Sequence, residues 1–467
     1  MIYIDKESGR PLYEQIYTQI QRDIILGNIP QGTILPGIRT LSKTLGVARN
    51  TVEKAYTQLA VEGYTYSQKG AGFIVECTGK MNVVKQLENL PLVVSDKPSH
   101  EKISVNLLYD FQYGNFSDQC FPKVTWRKRM LEVLSSPYSI HMAQYSNRQG
   151  NFSLRNELRQ YLHQTRGVFC TEDQIIIGSG LHYSLDILSK LLGNKSIAME
   201  EPGYYGAREV FHNNGLRIYP IPSLKEGLDF TQLSELDVSA VYVTPSHQFP
   251  YGTVLPISKR QELLEWAVEK NTYIVEDDYD SEYRYDANPV PSLQSIDCND
   301  RVIYLGTFSK SLSPSLRVNY MVLPRHLLPT YHKMFSTYSS PVAWLTQEVL
   351  AVFLHSGDYA RHVRRMCATF RKRHDTFLQE MSSQFGEKIA IYGKGAGLHF
   401  LLEFLDGSNA DTCIQKAEEA GIRIYSIKPF WSNQEACPQN ILFAGYSLLD
   451  EHQIREVLPL LKQIWYP

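Results

Sequence analysis

VIYLGTFSKSLSPSLR, residues 302–317, runs four apolar residues straight into a glycine and then holds one lysine, Lys310, among small hydroxyl side chains, with Arg317 seven positions further on. An apolar run this short, bounded by glycine, reads as a strand buried on both faces. A companion lies just upstream: YIVEDDYD, residues 273–280, is apolar at its start and then turns acidic. Toward the amino terminus the alternation recurs. QIIIGSG (174–180), SIAMEEP (196–202) and AVYVTPSHQ (240–248) read as strands, while LHYSLDILSKLLG (181–193), AREVFHNNG (207–215) and SKRQELLEWAVEKN (258–271) read as helices between them. Helices in those positions supply the crossovers a parallel sheet needs, so residues 105–467 are expected to form an α/β domain.

The front of the chain has a different period. PLYEQIYTQIQRDIILGN places Leu12, Ile16, Ile20 and Ile24 four apart, an apolar stripe on a helix that closes at Gly27 and Asn28. IRTLSKTLG gives a second helix through Leu41 and Leu45 that stops at Gly46, and VARNTVEKAYTQLAVEG a third through Val52, Ala55, Tyr56 and Leu59 that stops at Gly63. YTYSQKGAGFIVE then alternates around Lys69-Gly70-Ala71-Gly72, the pattern of two short strands joined by a glycine turn. Three helices and a hairpin make residues 1–76 a winged helix-turn-helix. Residues 77–104 carry Pro91, Pro98 and scattered charges without a sustained period and read as a linker.

Bulk properties narrow the compartment and the partners. With 467 residues and 43% hydrophobic content the chain can bury more than one core, and a formal charge of −2 excludes a polyanion held by net charge while permitting a small, locally basic reader. Seven cysteines, at 77, 120, 170, 298, 367, 413 and 437, form no C-x-x-C pair, so neither a disulfide framework nor a zinc site is expected, and no other metal cluster is suggested. No run approaches the ~20 apolar residues of a membrane span, and the amino terminus lacks an apolar signal core. A cytoplasmic chain with no membrane partner is expected.

In open α/β sheets ligands bind beyond the carboxyl ends of the strands. Those ends are chemically rich here. Gly178-Ser179-Gly180 opens a helix whose bare amides and dipole favour a phosphate. Glu200-Glu201-Pro202-Gly203-Tyr204-Tyr205 brings aromatic rings to the mouth of the sheet; Glu276-Asp277-Asp278-Tyr279-Asp280 brings carboxylates that need a cation opposite; and Thr307, Ser309, Lys310 and Arg317 offer hydroxyls, an amine and a guanidinium to one small anion. A phosphate cradle, an aromatic shelf, a carboxylate and a reactive lysine together describe a site for pyridoxal 5′-phosphate. The lysine condenses with the aldehyde, the carboxylate keeps the ring nitrogen protonated, and Tyr279 lies within reach of the ring hydroxyl.

On those same motifs, GTFSKSLSPSLR, EEPGYY, TPSHQFPYG and VEDDYDSEY, residues 105–467 resemble the large domain of fold-type I aminotransferases, with a smaller C-terminal α+β subdomain implied. LPGIRTLSKTLGVARNTVEKAYTQLAVEGY with KGAGFIVE resembles the GntR type of winged helix-turn-helix. Together they resemble the MocR subfamily of GntR regulators, and the resemblance implies roles by position. Lys310 would form the internal aldimine, Asp277 would pair with the ring nitrogen, and Tyr279 would bind the ring hydroxyl. Ser179, Gly180, Thr307, Ser309 and Arg317 would hold the phosphate. Tyr204 would form the shelf, and Tyr145 would be lent across a homodimer interface to the partner's phosphate. Phe249 stands where the aminotransferase pattern has asparagine, which leaves a ring-hydroxyl contact missing or supplied by His247. In the DNA module Arg39, Arg49, Asn50 and Thr51 would contact an operator, and Lys69 on the wing would reach the minor groove or phosphate. Gly37 and Ala48 replace two serines of the family motif, each losing a hydroxyl that could touch a phosphate.

Aminotransferases of this shape grip the substrate carboxylate with an arginine near the carboxyl terminus; here that position falls on Leu448. Amino-acid-responsive regulators of the subfamily use an arginine just past the EEPGY tyrosine; here Gly206 stands there, with Arg208 two further on. Both absences favour sensing over turnover. The expectation is a regulator that senses pyridoxal 5′-phosphate, as regulators of vitamin B6 synthesis do, or an amine or amino-acid derivative. The alternative is an active aminotransferase with an attached DNA-binding module, using Arg208 or another arginine as the clamp.

Overall fold

The computed structural model describes residues 2–5, 8–76, 107–193, 196–224, 227–285 and 290–467. They belong to two compact units, Met1–Ile103 and Ser104–Pro467. The expected linker, residues 77–104, lies outside the described residues.

In the first unit, α1 (Leu12–Ile25), α2 (Ile38–Leu45) and α3 (Arg49–Val61) precede a hairpin of β1 (Thr65–Gln68) and β2 (Gly72–Val75). Ile16, Ile20 and Ile24 from α1 and Val52, Ala55, Tyr56 and Leu59 from α3 are buried against one another, and the Tyr56 hydroxyl donates to the Pro36 carbonyl at 2.8 Å. Gly46 ends α2 with φ 62°, a left-handed conformation that glycine adopts without a Cβ clash. The two positions where serine is replaced, Gly37 and Ala48, turn out to be the N-caps of α2 and α3, and neither supplies a capping hydrogen bond. The missing hydroxyls therefore cost helix-end satisfaction as well as phosphate contact.

The second unit is built on an eight-stranded sheet. After a short strand, β3 (Tyr109–Asp110), come β4 (Ile175–Gly178), β5 (Ser196–Glu201), β6 (Arg217–Leu224), β7 (Gly227–Leu228), β8 (Ala240–Val243), β9 (Tyr273–Asp278), β10 (Val302–Thr307) and β11 (Asn319–Val322), in the order β4-β11-β10-β9-β8-β5-β6-β7. β10, β9, β8, β5 and β6 are mutually parallel, and β11 runs antiparallel to both β10 and β4. Every strand read from the sequence is present. Two were not read. β6 contains Pro220 and Pro222, which normally mark strand ends; it tolerates them beside the sheet's edge, where only the two-residue β7 lies outside it. β11 departs from a purely parallel sheet because the chain between β10 and β11 is too short for a crossover.

Helices cover both faces: Leu185, Leu188 and Phe211 pack on Met199 and Tyr242, and Leu263 and Trp266 on Val241 and Ile274. The long helix Asp358–Phe385 leads into a four-stranded antiparallel sheet, in the order β12-β13-β16-β15, made of β12 (Ile389–Tyr392), β13 (His399–Phe404), β15 (Tyr425–Ser426) and β16 (Ile441–Gly445). With β14 (Ile422–Arg423), which pairs in parallel with β3, and the helix Glu451–Trp465, it forms the C-terminal α+β subdomain around Phe377, Phe400, Leu458 and Trp465. Among the described residues no helix is long and apolar enough to cross a membrane.

Because Ala48 sits with φ −65° and ψ 147°, the geometry an N-cap serine uses, Ala48→Ser is expected to stabilise the first unit by about 1 kcal/mol. Denaturant unfolding of the full-length protein checks this; an unchanged midpoint for that transition contradicts it.

Candidate functional site

A cavity of about 260 Å³ opens at the carboxyl ends of β8, β9 and β10, lined among others by Tyr204, Thr244, Asp277, Tyr279, Lys310 and Arg317. The sheet decides which side chains arrive. Successive residues of a strand point to opposite faces, so on β9 Glu276 and Asp278 face one way and Asp277 the other. Each carboxylate of the acidic run then meets a different partner. Glu276 accepts the amides of Leu293 and Gln294 at 2.7 and 2.9 Å; Asp278 pairs with the Arg166 guanidinium at 2.6 Å; and Asp280 faces His247 Nδ1 at 2.9 Å. Asp277 accepts a hydrogen bond from the Tyr242 phenol on β8. The cation expected opposite this run is therefore fixed for Asp278 alone; Asp277 faces the cavity. Burial raises its carboxyl to about 7, against the lowering effect of the Tyr242 hydrogen bond.

Lys310 follows β10 and turns its amine into the cavity, 3.9 Å from the centre of the Tyr113 ring. Burial pushes the amine down to about 8, while Asp280 and Asp277 pull it upward. The Tyr283 hydroxyl anchors the same residue through its carbonyl at 2.8 Å. Gly114 is the glycine this site cannot exchange: its φ is +86°, and a Cβ there would lie 2.1 Å from Lys310 Nζ. Tyr113, Gly114 and Asn115 reach the cavity from about two hundred residues upstream, and no local pattern marks them.

Arg317, itself at φ 51°, lays its guanidinium over Gly180, where a Cβ would come within 2.2 Å of Nη2. Among the described residues no carboxylate pairs with it. Asn319 on β11 secures the glycine turn by accepting the Gly180 amide at 3.1 Å and donating to Ser184 Oγ at 2.7 Å. Thr307 and Ser309 line the same end and are joined by a 3.0 Å bond from the Ser309 amide to Thr307 Oγ1. Tyr204 lines the cavity edge-on to Phe249, and Gly206 leaves room for its ring, since a Cβ there would lie 2.7 Å from it.

Some of the expected residues lie elsewhere. Ser179 is half-buried beside the glycine turn and is not part of the cavity wall, where Leu181 and His182 stand instead. His247 lies behind Tyr279, with Nδ1 3.0 Å from the Tyr279 hydroxyl, so it backs a wall residue without forming the wall. Tyr145 is 95% exposed, in a surface cleft with Tyr138 and Trp344. Arg208 is occupied: it donates to the carbonyls of Pro429 and Phe430 at 2.5 and 3.4 Å and lies 3.5 Å from Glu201. Leu448 lines an adjoining cleft. In the first unit, Arg49, Asn50 and Thr51 form the first turn of α3, Arg39 is exposed on α2 and Lys69 is exposed in the hairpin turn. Lys54 on α3 lies over the Tyr13 ring at 3.9 Å.

The chain is similar to known proteins along both of its units. Residues 115–439 match the model for aminotransferase class I and II, and residues 12–75 match that for bacterial regulatory proteins of the gntR family. The chain is 37% identical to the uncharacterized HTH-type transcriptional regulator YdeL of Bacillus subtilis, across 99% of this chain and 98% of that one. It is 29% identical to the probable rhizopine catabolism regulatory protein MocR of Rhizobium meliloti, across 98% and 94%. In fold it is similar to a kynurenine aminotransferase of Pyrococcus horikoshii solved with PMP, with TM-score 0.69, 24% identity and coverage of 83% of this chain and 94% of that one. The second unit belongs to the aminotransferase class I and II family. The whole chain belongs with the HTH-type transcriptional regulators of the MocR kind, whose GntR-type unit binds DNA.

A carboxyl raised from 3.8 to about 7 binds its proton more tightly in the folded than in the unfolded chain, so between those values folding stability falls as pH rises. Glu200, Glu276 and Glu282, also raised to about 7 by burial, act in the same direction. Thermal unfolding of cofactor-free protein from pH 5 to 8 is expected to show a falling melting temperature, with a shallower slope in Asp277→Asn; equal slopes would contradict the burial of Asp277.

Proposed function

We propose that this chain is a transcriptional regulator whose aminotransferase-like unit binds pyridoxal 5′-phosphate at Lys310 and senses that cofactor, or an amine that reacts with it, to change operator affinity. When bound, the cofactor supplies an aldehyde that an amine can bond to and a ring able to draw electrons. The residues fit it. Arg317, with Thr307 and Ser309, offers guanidinium and hydroxyl donors to a phosphate, and Gly180, its own amide held by Asn319, leaves room for that guanidinium. Asp277 offers a carboxylate to the ring nitrogen, Tyr204 a flat wall and Tyr279 a phenol to the ring hydroxyl. An amine brought down to about 8 is unprotonated often enough near neutral pH to attack an aldehyde.

The observation that carries the sensing reading is the fate of the carboxylate clamp. Leu448 and Gly206 cannot grip a carboxylate, and Arg208 is already bound to the carbonyls of Pro429 and Phe430. Neither the sequence-level clamp positions nor the fallback arginine is available to orient an amino acid, which favours cofactor-linked regulation over transamination. The exposure of Tyr145 agrees with a residue reserved for a second subunit's phosphate site, and a homodimer would present two winged units to paired half-sites. Arg39, Arg49, Asn50, Thr51 and Lys69 are the operator contacts in this reading.

Lys310→Ala is expected to abolish the visible absorbance that the unaltered protein gains with pyridoxal 5′-phosphate, and to remove the cofactor's effect on operator affinity while leaving basal DNA binding intact. Absorbance together with operator titration at fixed salt checks both; identical affinity with and without cofactor in the unaltered protein sinks the sensing claim. Arg49→Ala is expected to weaken operator binding about tenfold, the loss of roughly one base or phosphate contact. Unchanged binding removes Arg49 from the interface.

A further inference from the structure

Asp280 is one of the carboxylates of the acidic run that the cofactor site leaves unused, and the one whose partner touches a cavity residue. Its side chain is 1% exposed, His247 is 2% exposed, and His247 Nδ1 lies 2.9 and 3.1 Å from the two Asp280 oxygens. The same nitrogen is 3.0 Å from the Tyr279 hydroxyl, which donates to the His247 carbonyl at 2.8 Å. An ionised carboxylate only accepts, so the Nδ1 proton points to Asp280, and the imidazole orientation is fixed by that bond. The ring is also wedged from both sides. A Cβ on Gly397, in the turn before β13, would come within 2.0 Å of His247 Cε1, and one on Gly252 within 3.0 Å of Nε2. Gly397 belongs to the C-terminal subdomain, so the pair stands where that subdomain meets the sheet. The other titratable groups around it include Tyr113, Lys310, Asp277, Glu282, Tyr285, Tyr446 and His399, whose ring lies 5.3 Å from that of His247.

A buried polar pair that leaves His247 Nε2 without a partner is a poor device for stability alone. Its contacts here converge on one phenol. We propose that Asp280 and His247 are positioning residues: Asp280 fixes the His247 ring, whose Nδ1 and whose own carbonyl hold the place of the Tyr279 hydroxyl, the group facing the cofactor's ring hydroxyl, from a footing shared with the C-terminal subdomain. This rests on the cofactor reading above. It assigns His247 an action through Tyr279 in place of direct contact with the ring.

The test uses full-length protein with bound pyridoxal 5′-phosphate and reads two quantities: the pH midpoint of the visible absorption band and the cofactor dissociation constant. His247→Gln and Asp280→Asn are expected to move the midpoint in the same direction as Tyr279→Phe and to weaken cofactor binding about two- to tenfold, the equivalent of one net hydrogen bond. The double variant H247Q/Y279F is expected to go no further than Y279F, since without the phenol the pair has nothing to position. Asp280→Asn preserves side-chain volume and carries the test if His247→Gln does not fold. A normal midpoint in folded D280N or H247Q beside a shifted one in Y279F overturns this proposal alone, as do shifts that add in the double variant. No visible band in the unaltered protein overturns the cofactor reading and this inference with it.

Discussion

Everything in the second unit follows from bringing an amine, a guanidinium and several carboxylates to the ends of strands buried on both faces. Charges in such a place are costly unless each finds a partner. The fold answers residue by residue, with Arg166 for Asp278, backbone amides for Glu276, His247 for Asp280 and a phenol for Asp277. Asp277 and Lys310 are left facing a common cavity, the one shifted upward and the other downward by burial. Two groups whose proton affinities are drawn toward neutrality beside a guanidinium laid over glycine make a site suited to a small, anionic, reactive ring.

Much of this was legible because strand periodicity locates strand ends, and strand ends locate the site. QIIIGSG, YIVEDDYD and VIYLGTFSK each announced a strand, and the last two brought cavity-lining residues, Asp277, Tyr279, Thr307, Ser309 and Lys310, within a few positions of the strand end. The winged unit was equally readable, its core positions Ile16, Ile20, Val52, Tyr56 and Leu59 falling on the helical period. What escaped had physical reasons. The prolines of β6 masked a strand, and the shortness of the loop before β11 forced an antiparallel return. Tyr113 and Gly114 act on Lys310 through tertiary proximity, and Tyr242 reaches Asp277 across neighbouring strands, so no spacing along the chain could reveal either. His247 was within the right motif, but only the geometry shows that it stands behind the cavity residue Tyr279 and not in the wall itself.

In the proposed reading, Arg317 and Asp277 serve the phosphate and the ring, whereas the positions expected to grip an amino acid are Leu448, Gly206 and an Arg208 already bound to the carbonyls of Pro429 and Phe430. Arg208 instead ties the segment after β5 to the turn at Pro429 and Phe430, so the residue nearest the expected clamp serves the junction between sheet and C-terminal subdomain.

The most direct measurement is chemical. Protein incubated with pyridoxal 5′-phosphate, reduced with borohydride and digested for peptide mass mapping is predicted to carry the phosphopyridoxyl mass on the peptide containing Lys310 and on no other. An unmodified Lys310 peptide, or equal labelling spread over surface lysines, would contradict the account.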